Sequence, residues 1–355
     1  MLTKKNADIP TKSKKSIDNT PVRRPSTTPP STDPRSTDDS GSHALGRVKP
    51  FLLAPLLPLF IVVLNFGMRF LPDLTVHVNN TDSLYIILIL LQIVVIVLPG
   101  IFYCKLRGSG FALRLRLRLP SPNRVAFGVL GLFLILFGTA IIKSAYVALG
   151  TGYNNLYFLN LYGYISQANL STVSDAVYSI ITFAIVPAIA TEFVYRGILI
   201  REYADGGYGP VCAVFFSALL YASLASSPKT VPILFYTGLV LGIVFFSTHS
   251  LLYSMLISAV LSVCDLFGET FLLHVAAQRA YSVLLFFLLV TAFLVVLLLT
   301  VREAERILHN EGVFGAAVPS YLRTETSQKA AFGMCLISPS LLLCIAVTAV
   351  KLLWI

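Results

Sequence analysis

Of the 355 residues, 56% are hydrophobic and 12% are charged, and the mean hydropathy is +0.78, whereas a soluble domain carries about 25% charged residues. No water-soluble fold hides that much apolar surface, so the bilayer is the solvent in which this chain must be understood. The net charge of +10 raises nucleic-acid binding, but the Lys and Arg residues sit in the N-terminal segment and in particular stretches between apolar runs. That is the pattern of cytoplasmic loops, and no nucleic-acid partner is expected.

Residues 1–49 are rich in Ser, Thr, Pro, Lys, Arg and Asp and hold almost nothing that could bury a core, which predicts a disordered, basic, cytoplasmic tail. It is too long, and in places too acidic, for a secretory leader, so the first apolar run is expected to be retained as a span. Apolar runs follow at 51–71, 83–103 and 125–149, three N-terminal transmembrane helices within residues 50–149. Further runs lie at 176–200, 209–226, 231–247 and 250–264, then at 281–301 and, after a polar loop at 302–331, at 332–355. Most approach the ~20 residues that cross ~30 Å of hydrocarbon. The expected fold is all-α, a polytopic transmembrane helix bundle of about eight to nine spans.

Charge between the runs gives orientation. The segment from Lys105 to Arg124 holds Lys105, Arg107, Arg114, Arg116, Arg118 and Arg124, while the loop at 151–174 holds no Lys or Arg. The positive-inside rule then puts the N-terminus, the 105–124 segment, Arg201 and the stretch with Arg302, Arg306, Arg323 and Lys329 in the cytoplasm, with the chain in the plasma (cytoplasmic) membrane. Arg69, Lys229, Arg279 and Lys351 fall outside. The alternation L-R-L-R-L-R-L-P at 113–120 has the period of a strand, but at a membrane entry it is better placed as an interfacial segment whose arginines meet anionic headgroups; membrane lipids are the first expected partners.

A charge at mid-bilayer costs at least ~2.5–3.5 kcal/mol, so each one inside a span needs a reason. Lys143, near the outer end of the third span, is expected to snorkel to the headgroups. Glu192 and Arg196 lie four apart in A-T-E-F-V-Y-R-G-I-L, on one helical face and within reach of each other. Structurally, such a pair locks a helix against its neighbours. Functionally, a Glu in a low-dielectric cleft beside an Arg is suited to act as a base toward water. Gly238 and Gly242 form G-x-x-x-G, which lets helices approach closely. The five cysteines, Cys104, Cys212, Cys264, Cys335 and Cys344, are scattered, and no His, Cys or carboxylate set has metal-ligand spacing; neither a metal nor a cofactor is expected.

The run T-E-F-V-Y-R-G-I-L, the turn at Asp205-Gly206-Gly207, the span F-F-S-A-L-L-Y-A-S-L-A and then G-L-V-L-G-I-V-F-F-S-T-H-S-L-L-Y-S-M-L-I-S-A-V-L-S together resemble the CPBP family of CAAX prenyl endopeptidases and the bacteriocin-processing or self-immunity proteins of bacteria. The likeness covers about residues 175–265 and implies a four-helix core there. It implies peptide hydrolysis within the membrane, in which Glu and His activate water and Asn stabilises the oxyanion. Against the family's E-E-x-x-x-R, Thr191 takes the first Glu, while Glu192, Arg196 and Gly197 are retained; Glu192 and Arg196 are the candidate catalytic remnants. Against F-x-x-x-H, Tyr221 takes the Phe and Ala225 the His, and Ser258 and Ser262 fall at the later His and Asn. His249, at the turn between the sixth and seventh spans, and His274, in an outer loop, are weak substitutes. The resemblance therefore implies a degenerate, catalytically impaired homologue that binds a membrane peptide, lipid-modified segment or protein partner. The alternatives are an active endopeptidase using Glu192 and, from another class, a transporter or accessory membrane subunit, for which internal repeats and broken helices would speak. Pro187, mid-span, is a candidate kink.

Overall fold

The computed structural model describes residues 50–67, 81–108, 117, 119–149, 173–206, 208–311 and 325–354. The N-terminal tail, the 151–172 stretch, residues 312–324 of the loop expected at 302–331 and most of the alternating segment at 113–120 lie outside the described residues.

Every regular element among the described residues is a helix. This follows from the solvent: hydrocarbon offers backbone N–H and C=O groups no partner, so a span must satisfy them within itself. In chain order the helices are α1 (Pro50–Leu53), α2 (Leu56–Gly67), α3 (residues 81–107), α4 (Pro122–Ala148), α5 (residues 173–205), α6 (Gly209–Ala222), α7 (Val231–Thr248), α8 (Leu251–Ala277), α9 (Arg279–Glu311), α10 (Glu325–Leu336) and α11 (Pro339–Leu353). Among the described residues six helices are long and apolar enough to cross a membrane, in α3, α4, α5, α7, α8 and α9; α2, α6 and α11 contain shorter apolar helices. The protein is a multi-pass, all-helical membrane protein.

Three regions depart from the expected spans, the first being the loop expected at 302–331, into which α9 runs as far as Glu311 and in which α10 begins at Glu325. The last run, 332–355, is not one helix: α10 ends at Leu336 and α11 starts at Pro339. Pro339 has no N–H to continue the ladder, and the residue before a proline avoids helical geometry; Ser338 accordingly sits at φ −57°, ψ 124°. Its hydroxyl donates to the Phe51 carbonyl at 2.8 Å and so pins the break to α1. The run at 250–264 is longer than expected: α8 continues to Ala277, which places His274 in a helix and not in a loop.

α5 carries two π-helical stretches, Ile181–Ile185 and Phe193–Leu199. The first ends two residues before Pro187, whose missing N–H would otherwise leave a carbonyl unpaired, so the wider turn absorbs the proline. The second brackets Arg196.

Packing forms two apolar clusters. One joins α3 (Val95, Ile96), α5 (Val194, Tyr195, Ile198, Leu199) and α6 (Phe216, Leu220); the other joins α4 (Phe127, Leu134, Ile135), α7 (Val240, Leu241, Val244) and α8 (Ile257, Leu261). α6 and α7 approach closely at Gly238, where an added Cβ would stand 3.0 Å from the Cα of Ala218. α9 rests on α4, and only 6% of its apolar window is buried, which makes it a lipid-facing outer span.

Candidate functional site

α5 and α8 cross within the bundle, and their contact is polar at one level. Glu192 and Arg196 are 0% and 1% exposed. Arg196 donates from one terminal nitrogen to Glu192 Oε1 at 2.7 Å and from the other to the Gly238 carbonyl of α7 at 3.4 Å. Its guanidinium carbon lies 4.4 Å from the centroid of the Tyr221 ring on α6, a cation–π contact. The other oxygen of Glu192 accepts from the Ser254 hydroxyl of α8. One ion pair thus ties α5 to α6, α7 and α8 together, through contacts that a dry interior strengthens.

Ser254 is the residue that sequence reasoning missed, although its signal was present. Ser250, Ser254, Ser258 and Ser262 recur every four residues, which places them on one helical face, and all four are buried. Ser250 caps α8 by accepting from the Tyr253 N–H at 3.1 Å, Ser254 meets Glu192, and Ser262 donates back to the Ser258 carbonyl at 3.0 Å.

The remaining motif positions carry little acid–base chemistry. The Thr191 hydroxyl donates to the Pro187 carbonyl at 2.8 Å, and Ala225 is buried just past the end of α6. His249 ends α7 in the left-handed region at φ 53°, its N–H on the Phe245 carbonyl at 2.8 Å. His274 pairs with Gln278 of its own helix at 3.2 Å. Among the described residues, no group of three or more His, Cys, Asp or Glu could hold a metal.

On the membrane-facing side of the same α5–α8 junction lies an apolar groove of about 680 Å³. Ile189 and Phe193 of α5, Met255 and Leu256 of α8 and Ile101 of α3 line it, with no charged residue among its described walls.

Lys143 was expected to snorkel, and it does not. It is buried, and its ammonium donates to Asp265 Oδ1 at 3.0 Å. Asp265 was hidden from sequence reasoning because the run that ends at 264 stops one residue short of it. Lys351 is also buried and caps the end of α6, donating to the carbonyls of Ser223 and Leu224 at 3.3 and 3.4 Å.

The fold defines a membrane-embedded helical bundle, and the motif positions lie in its α5–α8 part. Residues 173–264, α5 through the first half of α8, match the family model described as type II CAAX prenyl endopeptidase Rce1-like. No curated protein and no solved structure matches the chain.

Proposed function

We propose that the Rce1-like domain of this chain is a membrane scaffold that binds a lipid-modified or strongly apolar membrane peptide without cleaving it. The supporting observation is the state of Glu192: it is 0% exposed and both of its oxygens are engaged, by Arg196 and by Ser254. Hydrolysis of an amide requires a base with access to water and a donor placed for the oxyanion. Here the one carboxylate at the motif is committed to the helix bundle, the Thr191 and Ser262 hydroxyls are turned onto backbone carbonyls, and Ala225 has no proton acceptor. The groove between α3, α5 and α8 has the size and apolar lining to hold an isoprenoid or acyl chain in the plane of the bilayer. In this proposal the chain resides in the plasma membrane with its N-terminus in the cytoplasm.

The test compares three purified proteins on prenylated membrane peptides: wild type, Glu192→Ala, and the restored Thr191→Glu/Ala225→His/Ser258→His/Ser262→Asn variant. Wild type is expected to bind the peptide and leave it intact. Photo-crosslinking of a farnesylated probe should fall with Leu256→Trp, which fills the groove from an exposed position. Cleavage by wild type that vanishes in Glu192→Ala would establish an active endopeptidase instead.

A further inference from the structure

A second polar constellation lies away from the Glu192 site. Lys143 of α4 and Asp265 of α8 form an ion pair beside a cavity of about 570 Å³, bounded by Thr139, Gly268, Phe271 and Leu289 among others. The Lys143 side chain is 4% exposed, but 22% of the Asp265 side chain remains exposed on the cavity. Gly268 is itself exposed and an added Cβ there would meet no atom within 4 Å, so the cavity is open at this edge, beside Phe267 and Phe271 with 47% and 73% exposure. Lys143 sits five residues before the end of α4, about 7.5 Å of helix.

Two charges so near hydrocarbon cost free energy, and a pair serving only to join helices would be enclosed. This one borders a roomy cavity with apolar walls. Leu289 of α9 is buried at the cavity, whereas the nearby Leu284, Phe287 and Leu288 are exposed apolar side chains, so the molecules with access to the cavity are those of the bilayer. A zwitterion presents opposite charges a few ångströms apart and can meet an opened Lys–Asp pair at both ends. We propose that this cavity binds one phospholipid with a primary-ammonium zwitterionic headgroup, phosphatidylethanolamine. Lys143 meets the phosphate, Asp265 accepts from the ammonium, and a chain lies along Phe267, Phe271 and Leu289. A trimethylammonium headgroup has no N–H to give Asp265, and an anionic headgroup without an amine leaves the carboxylate facing like charge. Ethanolamine lipid is therefore preferred over choline and glycerol lipids.

The full chain, reconstituted in nanodiscs of equal parts phosphatidylethanolamine, phosphatidylcholine and phosphatidylglycerol and then extracted, is examined by native mass spectrometry for retained lipid. Ethanolamine lipid is expected to be enriched roughly tenfold over the other two, the scale of one charge-assisted hydrogen bond. Asp265→Asn should abolish the enrichment. Gly268→Leu narrows the cavity's open edge without removing either charge and substitutes a better helix former, so it should fold and yet retain clearly less ethanolamine lipid. Equal retention of all three lipids by wild type, preference for the anionic lipid, or undiminished enrichment in Gly268→Leu would each overturn the assignment.

Discussion

Glu192 and Arg196 were legible in the sequence because a charge inside an apolar run is costly enough to stand out. What they hold was not, since the partners are a serine, a glycine carbonyl and a tyrosine ring, groups common in any membrane helix. The same contacts fix the cost of disturbing the pair. Glu192→Gln leaves Arg196 buried beside a neutral amide and should cost ~3–5 kcal/mol, seen as a lower Tm in detergent. Ser254→Ala leaves the carboxylate short of one donor and should cost about 1–3 kcal/mol. The double variant Glu192→Gln/Arg196→Met should lose less than the sum of the two single changes, because no unpaired charge remains. An unchanged Tm for Glu192→Gln would show that the pair does not hold the bundle together. Asp265 shows a different limit: a carboxylate at the edge of an apolar run reads as the end of a span, and only the packing of α4 on α8 turns it into the partner of Lys143.

At the scale of elements, long apolar runs were legible and their interruptions were not. Pro187 and Pro339 have the same chemistry, a missing N–H, but opposite outcomes. In α5 a π-helical turn accommodates the proline and the helix continues, whereas at Pro339 the chain breaks and Ser338 ties the break to Phe51. Sequence spacing alone does not distinguish these, because the decision rests on whether a nearby N–H or O–H donor reaches the carbonyl that the proline leaves unpaired. Gly238 is the clearest contact between elements. Gly238→Val would place its Cβ 3.0 Å from the Cα of Ala218 and 3.2 Å from the Tyr221 ring. It would push α6 from α7 at the level where Arg196 reaches the Gly238 carbonyl. The expected loss is about 1–3 kcal/mol from overpacking, with a lower Tm that a second change, Ala218→Gly, should partly restore.

Across the whole molecule, the polar contacts between helices sort themselves into two ends without reference to a membrane. At one end Arg107 of α3 meets Glu202 of α5, Arg124 of α4 donates to the Ser247 carbonyl of α7 at 2.8 Å, and Arg306 of α9 reaches the Asn123 carbonyl of α4 at 3.2 Å. Toward the other end Tyr85 of α3 meets Ser179 of α5 at 3.1 Å, Lys143 meets Asp265, and Lys351 caps α6. The first end gathers Arg107, Arg124, Arg302 and Arg306. The positive-inside rule ties such an end to the cytoplasm. A cysteine introduced at Ser109 should therefore resist a membrane-impermeant maleimide in intact cells and react once the membrane is opened. One introduced at Asn160, in the stretch without Lys or Arg, should react from outside. The native thiols leave a low background, since Cys104, Cys212, Cys335 and Cys344 are buried and only Cys264 is partly accessible. Strong labelling at Ser109 in intact cells would reverse the orientation, and the Lys143–Asp265 level would then lie toward the cytoplasmic leaflet.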